Sequence, residues 1–143
     1  MKFPKSNKEL DVLFLSGKNP VAQDFVGEQY YLDILTGIPS ARRFNHRKLF
    51  FKDGDLYHGN NIVFGSYNFG YFNMEQANDA ALNVPVLVLN YHQPKTSFLF
   101  KNMIDHIVEL ENKVNYLGRY YMQDGDKLKF DGYFSLVNCK NIK

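Results

Sequence analysis

Residues 116–137 read YLGRYYMQDGDKLKFDGYFSLV, and this stretch decides the fold. Two runs rich in aromatic and β-branched residues, Tyr116 to Gln123 and Lys127 to Val137, flank Asp124-Gly125. Gly accepts positive φ and Asp can bond its own backbone, so this arrangement predicts a β-hairpin. Asp53-Gly54 repeats the pattern between Phe44 to Phe51 and Leu56 to Phe64. Working outward, Gln29 to Leu35, Phe69 to Glu75, Val84 to Tyr91 and Ile107 to Leu110 have the same character, giving eight candidate strands. A meander of that length is best accommodated by closing on itself, because closure removes exposed edges. The expected fold is mostly β, a small antiparallel barrel with a short N-terminal helix. A β-sandwich or a highly curved sheet is the alternative.

The N-terminal helix is read from Ser6-Asn7-Lys8-Glu9, which has capping-box spacing. Leu10, Leu13 and Phe14 follow on one helical face, and Ser16-Gly17 is expected to end the helix in a left-handed conformation. This helix should pack on a sheet or close one barrel end. Asn19-Pro20 predicts a second helical start, giving one or two turns over Pro20 to Val26 before Gly27. Residues 94–105 read as a loop holding a helical turn. All 143 residues therefore form one expected domain, with a helical segment over 6–26 and the barrel over 28–138.

Composition limits the partners. Thirteen Phe and ten Tyr with no Trp suit broad sheet surfaces and apolar pockets. Seventeen basic and fifteen acidic side chains, scattered along the chain, leave little footprint for nucleic acid. A single cysteine, Cys139, forms no internal disulfide and reads as a small apolar side chain. No apolar run has the length of a signal peptide or a membrane span, so a cytoplasmic protein without a membrane partner is expected.

Several stretches resemble the small bacterial family named for a GXWXG motif, joined to the domain of unknown function that usually follows it. They are Leu13-Phe14, Phe25-Val26-Gly27, Thr36-Gly37-Ile38-Pro39, Leu89-Asn90-Tyr91, Met103-Ile104-Asp105-His106, Leu117-Gly118 and Phe134-Ser135-Leu136. The naming motif departs from the family pattern: Gly27 is followed by Glu28-Gln29-Tyr30-Tyr31, so Tyr30 or Tyr31 would fill the Trp space. The resemblance implies a lipocalin-like barrel and no established activity.

Chemistry is sparse. His46, His58, His92 and His106 fall on separate elements without metal-site spacing, and neither metal nor cofactor is expected. The basic run Arg42 to Lys48 reads as a solvated loop and strand edge, or as an anion or carboxylate contact. Asp105-His106 could act as an acid–base couple with Tyr120, Tyr121 or Tyr91 as a phenolic donor, although sequence neighbours on a strand rarely face each other. Gly-interleaved rings at 67–72 and 116–121 favour core or cavity lining over base stacking. The leading expectation is a binder of a small hydrophobic molecule, contacted by Tyr30, Tyr31, Arg43, Tyr71, Tyr91, Arg119 and Tyr121. An enzyme using Asp105, His106 and Tyr120 at the barrel mouth is the alternative. A structural or interaction module is the third reading, in which an unpaired edge or apolar patch makes a homodimer.

Overall fold

Gly54 and Gly125 each open a two-residue turn, with φ of +61° and +63°. The computed structural model describes residues 2–37, 46–63, 67–79, 81–111 and 113–141. Asp53 pairs with Leu56 and Asp124 with Lys127, so the central pair of each turn is Gly-Asp. Positive φ at the first central position suits a type II′ turn, whose twist matches the flanking strands. Both hairpins form where the dipeptides predict them, one residue out of phase.

The strands are β1 (Gln29–Ile34), β2 (Arg47–Asp53), β3 (Leu56–Val63), β4 (Tyr67–Asn78), β5 (Pro85–Asn90), β6 (Met103–Glu111), β7 (Asn115–Asp124) and β8 (Lys127–Asn138). They form a closed barrel in chain order, each pair antiparallel. β1 meets β8 from Tyr30 opposite Asn138 to Ile34 opposite Phe134, which excludes the sandwich and the open sheet. β6 starts at Met103, four residues before the expected Ile107, because Met103 to His106 pair with Met122 to Arg119. A 3-10 turn, Phe98–Phe100, precedes it. Phe44, Phe64, Arg43, Ile38 and Pro39 lie outside the described residues.

Strand periodicity separates two cores. Leu87 and Leu89 of β5 face the interior with Tyr30, Phe50, Phe72, Ile107, Tyr116 and Phe134. Val86 and Val88 face outward with Val108, Leu117 and Tyr133, where Leu10 and Phe14 cover them. Those two residues belong to α1 (Asn7–Leu15), whose N-cap Ser6 accepts from the Glu9 backbone N–H at 3.2 Å and donates to the Glu9 carboxylate at 3.0 Å. The helix therefore packs on the outer wall, not in a barrel end.

Two expectations for the N-terminal segment need correction. Gly17 is not left-handed; Ser16 caps the helix in a right-handed conformation. Gly17 instead permits close approach to β6, since a Cβ there would lie 2.5 Å from Val108 Cγ2. The second helical piece is a 3-10 turn, Ala22–Phe25, capped at Val21 without a side-chain bond rather than at Asn19.

That 3-10 turn closes the lower end of the barrel, the end bearing the β2–β3 turn. Phe25 sits 5.2 Å from Tyr30, 4.8 Å from Phe50 and 4.6 Å from Tyr116 between ring centroids. Rings continue upward through Phe50–Phe72 and Phe72–Tyr91, each 5.4 Å apart. Gly59 and Gly118 make room for them: a Cβ at either position would overlap the Phe72 or Phe134 ring. Gly118→Ala should therefore destabilise the fold by about 1–3 kcal/mol, the usual cost of overpacking a filled core. Urea denaturation should show a lower midpoint at unchanged slope, and Phe134→Leu in the same chain should recover part of the loss. An unchanged midpoint for Gly118→Ala would disprove this packing.

Candidate functional site

The upper interior is polar at its centre. Lys48 and Phe50 alternate with Leu49 and Phe51 along β2, and Lys48 and Phe50 point inward while Phe51 is left 39% exposed. Lys48 thus enters the barrel with its ammonium fully enclosed. Its Nζ lies 3.2 Å from Asp105 Oδ2 and donates to Asn61 Oδ1 at 2.6 Å. It also donates to the Tyr91 hydroxyl, which accepts from Asn61 Nδ2 at 3.0 Å and donates to Asp105 Oδ2 at 2.9 Å. His46 Nε2 is 2.8 Å from Asn61 Oδ1. Phe72, Tyr91 and Phe134 surround the Lys48 ammonium at 5.2, 5.0 and 5.6 Å from their ring centroids.

Burial sets the electrostatics. It pushes the Lys48 amine below its ordinary value, and the Asp105 carboxylate opposes that shift. Burial, and then the Asp105 charge, raise the Tyr91 phenol well above its ordinary value, so it remains a donor. Burial and the Lys48 charge hold the His46 imidazole down to about 3, so it is neutral. Within this cluster Asp105 Oδ1 is buried and has no hydrogen-bond partner among the described residues. Buried polar atoms are nearly always paired, so this acceptor has an open valence toward a donor.

Asp105 and His106 occupy opposite sides of the wall and do not form a couple. Asp105 faces Lys48 inside, whereas His106 Nδ1 lies 2.7 Å from Asp79 Oδ1 on the outer face. Asp79 also accepts from the Tyr121 hydroxyl at 2.6 Å and from the Ala81 and Leu82 backbone N–H groups at 3.0 and 2.7 Å. Although burial opposes it, these donors hold the Asp79 carboxyl well below the usual carboxylate range. Arg119 extends the network, donating to the Tyr121 hydroxyl at 2.8 Å, to Asp11 of α1 at 2.6 Å and to the Tyr133 hydroxyl. Its guanidinium lies 4.1 Å from the Phe130 ring centroid. The outer cluster is a latch for α1.

The remaining candidate residues are dispersed. Tyr30 lies on the lower plug, where burial pushes its phenol up to about 12. Tyr120 is buried with the interior core and donates to the Thr36 carbonyl at 2.7 Å. Tyr31 is half-buried; Tyr71 bonds Thr96 through its backbone, with Lys95 5.9 Å from its ring. Arg43 lies outside the described residues. Of the expected set, Tyr91 meets Asp105 in the interior, while Arg119, Tyr121 and His106 meet on the outer face. Asn61 carries no sequence signal, and Lys48 and His46 enter only as members of the basic run. Within the basic run, Lys48 is a buried interior residue rather than part of a solvated edge, and its carboxylate partner is Asp105 of the same chain. Arg47 instead donates to Gln29 Oε1 at 3.2 Å.

Among the described residues, no group of three or more His, Cys, Asp or Glu is placed to hold a metal, and no helix is long and apolar enough to cross a membrane. Burial raises the Cys139 thiol, which disfavours the reactive thiolate. Comparison with protein-family models, with curated proteins and with solved structures finds no match to this chain.

Two outcomes follow from the buried charges. Lys48→Met leaves the Asp105 charge enclosed without its partner and should cost about 3–5 kcal/mol, most of it recovered in Lys48→Met/Asp105→Leu. Denaturation of both variants decides this, and a double variant no more stable than the single contradicts it. His46 is neutral when folded and titrates ordinarily when unfolded, so its contribution is complete above about 6.5 and is lost as pH falls toward about 3. Stability should rise with pH across that window by up to about 1.4 kcal/mol per unit from this one group. His46→Gln should flatten the slope; an unchanged slope would rule out the assignment.

Proposed function

We propose that this barrel is a binding protein for one small, mainly apolar molecule with a neutral polar head, seated under the upper end against Lys48 and Asp105. The open acceptor Asp105 Oδ1 carries the reading, because a ligand hydroxyl would satisfy it. An anionic head is disfavoured: the Lys48 charge is already balanced by Asp105, and a second carboxylate would be repelled. The apolar body would lie along Leu32 and Met103, which pack on the interior core while only partly buried.

Rings fill the lower interior, so the proposed site is shallow rather than a deep calyx. Tyr30, packed on Phe25 and Tyr116, would stand where GXWXG-type proteins carry their Trp. An enzymatic acid–base role for Asp105 with His106 has no geometric support, because the wall separates them.

Calorimetric titration with 2-naphthalenemethanol, an apolar alcohol, should saturate at one molecule per chain. Asp105→Asn, with its fold checked by circular dichroism, should bind about tenfold more weakly, the effect of one lost hydrogen bond to a charged group. No saturable heat at millimolar alcohol would refute the proposed site.

A further inference from the structure

We propose that Lys48 is an imine-forming amine, capturing the aldehyde group of a small, mainly apolar molecule as a protonated Schiff base with Asp105 as counterion. This rests on the binding reading above and takes its site to receive an aldehyde, whose carbinolamine, rather than the free carbonyl, supplies the hydroxyl for Asp105 Oδ1. Among the described residues, Lys48 alone of the lysines is buried. Its amine is held by Asn61, Tyr91 and Asp105 in one orientation, with three aromatic rings around it. A desolvated lysine among apolar side chains is the environment in which amines add to carbonyls, because the neutral form becomes accessible. Burial pushes this amine in that direction.

The surrounding groups match the steps. The Lys48 nitrogen lone pair forms a bond to the aldehyde carbon, and the carbonyl π pair moves to oxygen, which takes a proton that left nitrogen through the Tyr91 hydroxyl. The resulting carbinolamine carries a hydroxyl that neither reactant had, and Asp105 Oδ1 is a buried acceptor with no partner to receive it. Loss of that hydroxyl as water, with a second proton from nitrogen, leaves the carbon–nitrogen double bond. Ammonium plus aldehyde becomes iminium plus water, so one positive charge faces Asp105 before and after. The carboxylate that balances the ammonium balances the product.

The test is reductive trapping with 2-naphthaldehyde and cyanoborohydride, read by intact mass and peptide mapping. One adduct per chain is expected on Lys48, with the mass of the aldehyde less its oxygen, formed at least tenfold faster than on any exposed lysine. Lys48→Arg should lose that adduct. Adducts spread over exposed lysines with Lys48 unmodified would overturn the proposal, and mapping of the unsubstituted protein decides this even where Lys48→Arg fails to fold. Saturable binding of the alcohol with no Lys48 adduct overturns the imine and leaves the binding site standing. Failure of the alcohol to bind, with no adduct, removes both.

Discussion

The interior of an eight-stranded barrel is just wide enough for side chains from opposite walls to meet, and every other feature of this chain answers to that limit. Large rings fill the space only if the neighbouring strand recedes beneath them. Gly59 and Gly118 provide the recesses, one for Phe72 and one for Phe134. Phe25 enters from outside the sheet and completes the column from the lower end. Aromatic richness and glycine placement are thus linked in the sequence, because the Phe72 and Phe134 rings each need a neighbouring position without a Cβ.

Against that apolar column, two polar networks stand back to back across β6 and β7. Adjacent residues Asp105 and His106 point into different networks, and Arg119 and Tyr120 likewise face opposite sides of the wall, Tyr120 into the interior core. The outer network joins Arg119, Asp11, Tyr121, Tyr133, His106 and Asp79 to fasten α1 to the wall. Its energy is spent on tertiary structure. The inner network encloses a lysine and a carboxylate among rings, where desolvation offsets much of their attraction. It holds no helix in place, and it contains an unsatisfied acceptor. The binding role proposed above is therefore drawn from the inner cluster rather than from the better-connected outer one.

Much of the fold was legible because it depends on local chemistry. The turn glycines, the Ser6 cap and the aromatic runs act over a few residues, and the hairpins and helix form where these signals lie. The boundary of β6 was missed because Met103 to His106 are held by long-range pairing with β7 rather than by strand-forming side chains. The site was harder to read for a reason of phase. In Arg47-Lys48-Leu49-Phe50-Phe51, either alternation presents an aromatic, and hydropathy alone favours Leu49 with Phe51 facing inward. The barrel takes the other phase, Lys48 with Phe50, because Phe50 packs against Phe25 and Phe72. A one-residue choice of this kind moves a charge from solvent to core.

That choice also bears on how the barrel would select a ligand. Since rings occupy the lower interior, a molecule bound as proposed would gain little by lengthening downward, and its apolar body would rest on the partly buried Leu32 and Met103. One extra methylene on such a rim is worth no more than about 0.8 kcal/mol. A head group that leaves Asp105 Oδ1 unsatisfied forgoes a charged hydrogen bond, worth about 1.5–3 kcal/mol. Discrimination should therefore follow the head group rather than chain length. A barrel tuned in this way would tolerate many apolar bodies and be strict about the few atoms that reach Lys48.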